Sequence, residues 1–112
     1  MYRATTPKHV FIFESNPEEL FERILITYSQ NDRIVLEKGK PDLTFEQTTD
    51  CHNDSVWAAS YRLTQEETKL FSATPGSQVK VQIRVLTYAG EAMASDKKTL
   101  SVQDVLNDEV LV

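Results

Sequence analysis

Between Val79 and Val85 apolar and polar residues alternate without a break. Val79, Val81, Ile83 and Val85 fall on one side, and Lys80, Gln82 and Arg84 on the other. Side chains of an extended chain point to opposite faces in turn, whereas a helix would scatter these residues around its axis. The run predicts a long strand with one buried face. Upstream, Thr64 and Glu67 stand at capping-box spacing ahead of Leu70 and Phe71, a helix-start signature. The Pro75-Gly76 pair between them marks a turn. Residues 63–88 therefore read as a helical crossover that delivers the chain to the central strand of a β core. That is architecture rather than chemistry.

The rest of the sequence fits around this strand. Residues 1–8 are polar and read as an arm, loose unless a partner holds it. Residues 9–14 predict a strand with Phe11 and Phe13 on one face and Val10 and Ile12 on the other, so partial cover is expected on both. Asn16 suits an N-cap, Pro17 the first helical position, and Glu18 and Glu19 the positive end of a short helical turn. Residues 23–29 form the next alternating run, with Ile24, Ile26 and Tyr28 inward. Gln30-Asn31-Asp32 turns it into a hairpin whose return, residues 33–38, places Ile34 and Leu36 inward. Residues 39–42 break the chain, and Leu43, Phe45 and Gln47 begin another run. A polar loop, residues 48–55, precedes a strand with Trp57, Ala59, Tyr61 and Leu63 on one face. Ala89-Gly90-Glu91 reads as a tight turn before a final long strand, residues 92–103, with Leu100 and Val102 as its clearest inward positions.

About seven short strands at intervals near 10 residues, with turn signals between them and no long helix, predict an all-β, single-domain, immunoglobulin-like sandwich with one or two helical turns. The 112 residues form one domain with enough chain for a modest core. Residues 104–112 form a closing tail, both apolar and acidic, compatible with a strand, a short helix or a docking segment. Val105, Leu106, Val110 and Leu111 are costly to leave in water. With Asp108 and Glu109 they are the candidate partner contacts, seated on their own sandwich or on a neighbour.

Charge and composition exclude several functions. A net charge of -5 disfavours nucleic acid and anionic lipid as partners. A single cysteine, Cys51, permits no intrachain disulfide, and no stretch has the character of a signal peptide or membrane span. The expected setting is the cytoplasm of the cell that makes the protein. Asp50, Cys51, His52 and Asp54 share a loop, but match neither zinc nor EF-hand ligand spacing, so a polar hairpin loop is the better reading. Cys51 and His52 are adjacent and, on an extended chain, point apart, which disfavours a Cys/His nucleophile. Glu66 with Glu67, and Glu18 with Glu19, suit first helical turns better than acid–base pairs. Trp57, Tyr61, Tyr28 and Tyr88 offer a carbohydrate platform if exposed, and core if not. No enzyme motif, cofactor site or metal site is predicted.

Several stretches look alike across one group of proteins. They are Arg3-Ala4-Thr5-Thr6-Pro7-x-His9-x-Phe11, Arg23-Ile24-x-Ile26-Thr27-Tyr28-x-Gln30-Asn31 and Ile34-Val35-Leu36-Glu37-Lys38. Leu63-Thr64-Gln65-Glu66-Glu67-Thr68, Gln82-Ile83-Arg84-Val85-Leu86-Thr87, Ala94-Ser95-Asp96 and Asp108-Glu109-Val110-Leu111 complete the set. Over nearly the whole chain the sequence resembles small proteins encoded in phage and prophage genomes of Gram-positive gut bacteria. It departs from them in an extra Tyr2, in Asp32 where a glycine is usual, and in a longer loop around Cys51 and His52. The resemblance implies a non-enzymatic virion structural or assembly protein, made in the bacterial host cytoplasm and carried in the particle. Its partners would be other virion or assembly proteins, or further copies of itself. A host-carbohydrate-binding module is the alternative expectation.

Overall fold

The structure is a computed structural model that describes residues 1–73, 78–95 and 97–100. The described residues form eight strands, two short α-helices and, between the third and fourth strands, one 3-10 turn at Lys40–Asp42. In chain order they are β1 (Lys8–Phe13), α1 (Pro17–Leu20), β2 (Phe21–Gln30), β3 (Arg33–Gly39), β4 (Thr44–Thr49), β5 (Ser55–Arg62), α2 (Gln65–Lys69), β6 (Val79–Thr87), β7 (Ala92–Ala94) and β8 (Lys98–Leu100). One antiparallel sheet runs β1-β5-β4. The other runs β3-β2-β6-β7, with β8 also on β6. The fold is the two-sheet, all-β sandwich that the spacing of the strands implied. Within it β2 lies between β3 and β6, whereas the constant-type immunoglobulin order places the second strand beside the fifth.

The core is the apolar face of β2 and β6 closed by the smaller sheet. Ile24, Ile26 and Tyr28 alternate inward on β2, and Val79 and Val81 on β6. Tyr61, Leu63 and Phe71 meet them from the other side. Burial fades along β6. Val79 and Val81 are buried, but Ile83 and Val85 only partly.

Two bulges correct the simple alternation. Ile34, expected inward, is 66% exposed. Tyr28 faces Leu36 but Ser29 faces Ile34, so Val35 is the extra residue of a bulge. One added residue reverses the phase of a strand, and Ile34 joins Ser29 on the outer face. On β2 the shift falls between Phe21, opposite Thr87, and Arg23, opposite Leu86. It lets Phe21 and Ile24, three apart, both point inward.

Of the final long strand expected over residues 92–103, the described residues form two short pieces. β7 ends at Ala94 and β8 begins at Lys98, with the register slipped by one residue. Arg84 faces Ala94, but Val81 faces Lys98 rather than Lys97. Ser95 makes the break: its amide donates to Ile83 O at 2.8 Å, and its hydroxyl accepts from Ile83 N–H at 3.0 Å. The side chain of Leu100, Val102, and the Pro75-Gly76 turn lie outside what is described, as do the tail candidates Val105, Leu106, Asp108, Glu109, Val110 and Leu111.

The two helical starts are as read. Asn16 accepts from Glu18 N–H at 3.0 Å with Pro17 leading the helix. Thr64 and Glu67 form a reciprocal capping box, at 3.1 Å and 2.9 Å. The 30–32 turn holds Asn31 at φ 53° and Asp32 at φ 61°, the two positive values of a type I′ hairpin.

The N-terminal arm is the clearest correction. It is tied down rather than loose. The Thr68 hydroxyl donates to Thr5 O at 3.1 Å and accepts from Thr5 N–H at 3.2 Å. Arg3 donates to Lys69 O at 3.2 Å, and Pro7 O accepts from Leu63 N–H at 2.9 Å. These residues are polar, but their polar groups are spent on Leu63, Thr68 and Lys69 rather than on water alone.

Ile26, 1% exposed, should cost about 2–4 kcal/mol of stability when cut to alanine. Ile34→Asp should cost less than about 0.5 kcal/mol, because the bulge has already given that side chain to water. Urea unfolding of the two variants checks both values.

Candidate docking edge and groove

β1 is an edge strand. Among the described residues it pairs with β5 alone. The bond from Leu63 N–H to Pro7 O makes Pro7–Leu63 a hydrogen-bonded pair, so His9, Phe11 and Phe13 turn their backbone groups toward β5. Lys8, Val10 and Ile12 therefore turn theirs away, along the free edge. The side chains of Val10 and Ile12, expected to find partial cover, are 48% and 58% exposed. Among the described residues no strand pairs with these backbone groups, the condition under which a sheet edge can accept a further strand.

Beside this edge lies a groove of ≈ 670 Å³. One wall is β1. The other is Val81, Ile83 and Val85 of β6 with Met93 of β7. It arises because the smaller sheet stops at β1 while the larger one continues to β7, which explains the fading burial of β6. Lys8 and Lys98 stand at its rim, and His9 also lines it.

At the His9 end the groove meets a polar contact between the sheets. His9 Nδ1 lies 2.5 Å from the Tyr28 hydroxyl, which also contacts the Tyr61 hydroxyl. Burial, joined by the charge of the N-terminus, lowers the pKa of His9 and favours the neutral ring. Burial also pushes the Tyr28 phenol up to about 12 and the Tyr61 phenol up further, where donation to Tyr28 adds to the rise. Both phenols stay protonated at neutral pH. The chain of donors runs from Tyr61 to Tyr28 to a neutral His9, which satisfies otherwise costly buried hydroxyls.

Asp50 uses its carboxylate locally, accepting from His52 N–H at 2.8 Å and Asp54 N–H at 3.0 Å. Cys51 is exposed in that loop, ahead of β5, while His9 faces Tyr61 near the far end of β5. The two do not meet. Among the described residues no group of three or more His, Cys, Asp or Glu converges as metal ligands would. Glu66 is exposed and Glu67 caps α2 and pairs with Lys38 at 2.5 Å. Partial burial works against the charged form of Glu67, but Lys38 and the Thr64 amide outweigh it and lower its pKa. Of the proposed aromatic platform, Tyr28 and Tyr61 are buried and Trp57 half-buried, leaving Tyr88 exposed by itself. Lys40, not singled out by the sequence, reaches from the 39–42 break to donate to Glu18 O at 2.9 Å and Phe21 O at 2.8 Å. It thereby holds the C-terminal end of α1, and its ammonium lies over the Tyr88 ring. Among the described residues no helix is long and apolar enough to cross a membrane.

The lowered pKa of His9 sets a pH dependence. Between its folded-state value and the ordinary value of 6.5, the unfolded chain binds the extra proton. The contribution is complete above 6.5 and is lost as pH falls toward the folded-state value. The wild type should lose stability on that descent, and His9→Gln should show a flatter profile in urea melts run across it. Tyr28→Phe should cost about 1–3 kcal/mol, by stranding the Tyr61 hydroxyl and His9.

No protein-family model matches the chain, and a search of curated proteins returns no match.

Proposed function

We propose that the chain is a non-enzymatic phage or prophage protein, a structural or assembly component of the virion that works through protein–protein contact. The observation that carries the contact reading is the β1 edge, unpaired among the described residues, with its exposed Val10 and Ile12. An extended apolar segment of a neighbouring virion or assembly protein adds there as a strand. Backbone hydrogen bonds supply affinity, and Val10, Ile12 and the groove select side chains. The phage setting is supported by the sequence resemblance from Arg3 to Leu111. In this reading the protein is made in the host cytoplasm and enters the particle on assembly, and Val105, Leu106, Asp108, Glu109, Val110 and Leu111 add contacts of their own.

Mass spectrometry of purified, induced phage particles should find this chain. Its absence from intact particles overturns the virion assignment. A chain carrying Ile12→Asp should fold normally by far-UV circular dichroism but enter particles at least about tenfold less, the effect of about 1.4 kcal/mol at a contact. Unchanged incorporation overturns the β1 edge as the contact.

A further inference from the structure

The groove beside β1 has two unlike ends. Lys8, His9 and Lys98 stand at one of them. Register brings them together, because Lys98 faces Val81, Val81 faces Tyr28, and the Tyr28 hydroxyl meets His9. Phe13, Val85 and Met93 stand at the other. Met93 faces Val85, and the Phe13 ring packs on Phe21, which lies opposite Thr87 at the end of β6. The chain carries 17 acidic residues against 12 basic ones, yet among the described residues no Asp or Glu lines this groove.

Lys98 is oriented by its pairing. Directly opposite residues of an antiparallel pair share a face, so Lys98 lies on the inward face with buried Val81. A lysine in that position lays its stem along apolar surface and holds its ammonium at the margin. Among the described residues neither Lys98 nor Lys8 has an ion-pair partner. His9 supplies a further donor. With Nδ1 accepting from Tyr28, the neutral ring carries its proton on Nε2.

We propose that the strand accepted by the β1 edge carries an acidic side chain at the Lys98–His9 end of the groove and aliphatic side chains two and four residues along. This rests on the reading of β1 as a docking edge and names the chemistry of the segment that edge takes. The spacing follows from the pairing. Lys8, Val10 and Ile12 hold the free backbone groups, so an incoming strand bonds to them. Its side chains opposite His9, Phe11 and Phe13 share the inward face of those residues and enter the groove. Its side chains opposite Val10 and Ile12 stay outside. The inward row meets the basic end first, then Phe11 and Ile83, then Phe13, Val85 and Met93. A carboxylate at the first place finds donors of opposite charge, and a lysine there meets like charge. A charge of either sign at the third place gives up water for an apolar wall.

Peptide binding to the full chain tests this. The probe is a dye-labelled, capped heptapeptide, Glu-Thr-Val-Thr-Val-Thr-Glu, which offers an acid to the basic end in either strand direction. It is compared with the same peptide ended by lysines and with an analogue N-methylated along its backbone. By fluorescence anisotropy at low salt the Glu-ended peptide should bind at least about tenfold tighter than the Lys-ended one, and added salt should narrow the gap. Lys98→Glu should reverse the order with the far-UV spectrum unchanged, and Lys98→Gln, a milder change should the first disturb the fold, should shrink the gap. Equal binding of the two peptides, or a preference that folded Lys98 variants leave intact, overturns the acidic code while the docking edge stands. Absence of binding by every peptide, or an N-methylated analogue that binds as well as its parent, overturns the edge and the code together. A dimer that the Glu-ended peptide does not dissociate in sedimentation assigns the edge to a second copy and overturns the proposal.

Discussion

The two sheets of this sandwich are unequal, and most of the molecule follows from that. β2 and β6 pair along nearly their whole lengths, making a broad apolar floor with β3 and the β7–β8 edge on its flanks. The smaller sheet has three strands to lay across it. Where β5 and β1 lie over the floor, side chains such as Ile26 and Val79 lose contact with water. Where they run out, Ile83, Val85 and Met93 keep some exposure. Burying apolar area drives such a fold, at roughly 25 cal/mol per Å². The part-covered floor therefore keeps some apolar area of β6 and β7 in contact with water. The same geometry produces the core, the free β1 edge and the groove.

The fold was largely legible because alternation is a local signal. β6, the inward row of β2, the I′ turn at Asn31-Asp32 and both caps needed only neighbouring residues to be read. What failed depended on pairing. The bulge at Val35 inverts the phase of Ile34, and nothing within residues 33–38 announces it, since both phases show aliphatic residues. The break at Ser95 is decided by hydrogen bonds to Ile83, a strand away. The arm was misjudged for the same reason. Its anchor, Thr68, is 63 positions distant.

The candidate site was legible in a weaker sense. Asp50, Cys51, His52 and Asp54 match no metal-ligand spacing, and in the structure the Asp50 carboxylate closes the turn they form. The apolar pair Val10 and Ile12 was visible, but not its exposure, because a strand does not record which of its faces will find a neighbour. For His9 the sequence offers no more than a place on the first strand. Its place beside Tyr28 and Tyr61 arises from the closing of one sheet on the other, which no local pattern encodes.

That contact has a meaning for the sandwich as a whole. Apolar faces attract without direction, and two such sheets could slide past one another at small cost while still excluding water. The Tyr61–Tyr28–His9 chain joins β5, β2 and β1 through hydroxyl and ring-nitrogen geometry that tolerates little displacement. A one-step slip would bury at least one hydroxyl with no acceptor. The three groups therefore act less as glue than as a detent, a notch that selects one alignment of the layers from several of similar greasiness. Because His9 belongs to β1, that notch also fixes where this strand at the margin of the smaller sheet sits relative to β7.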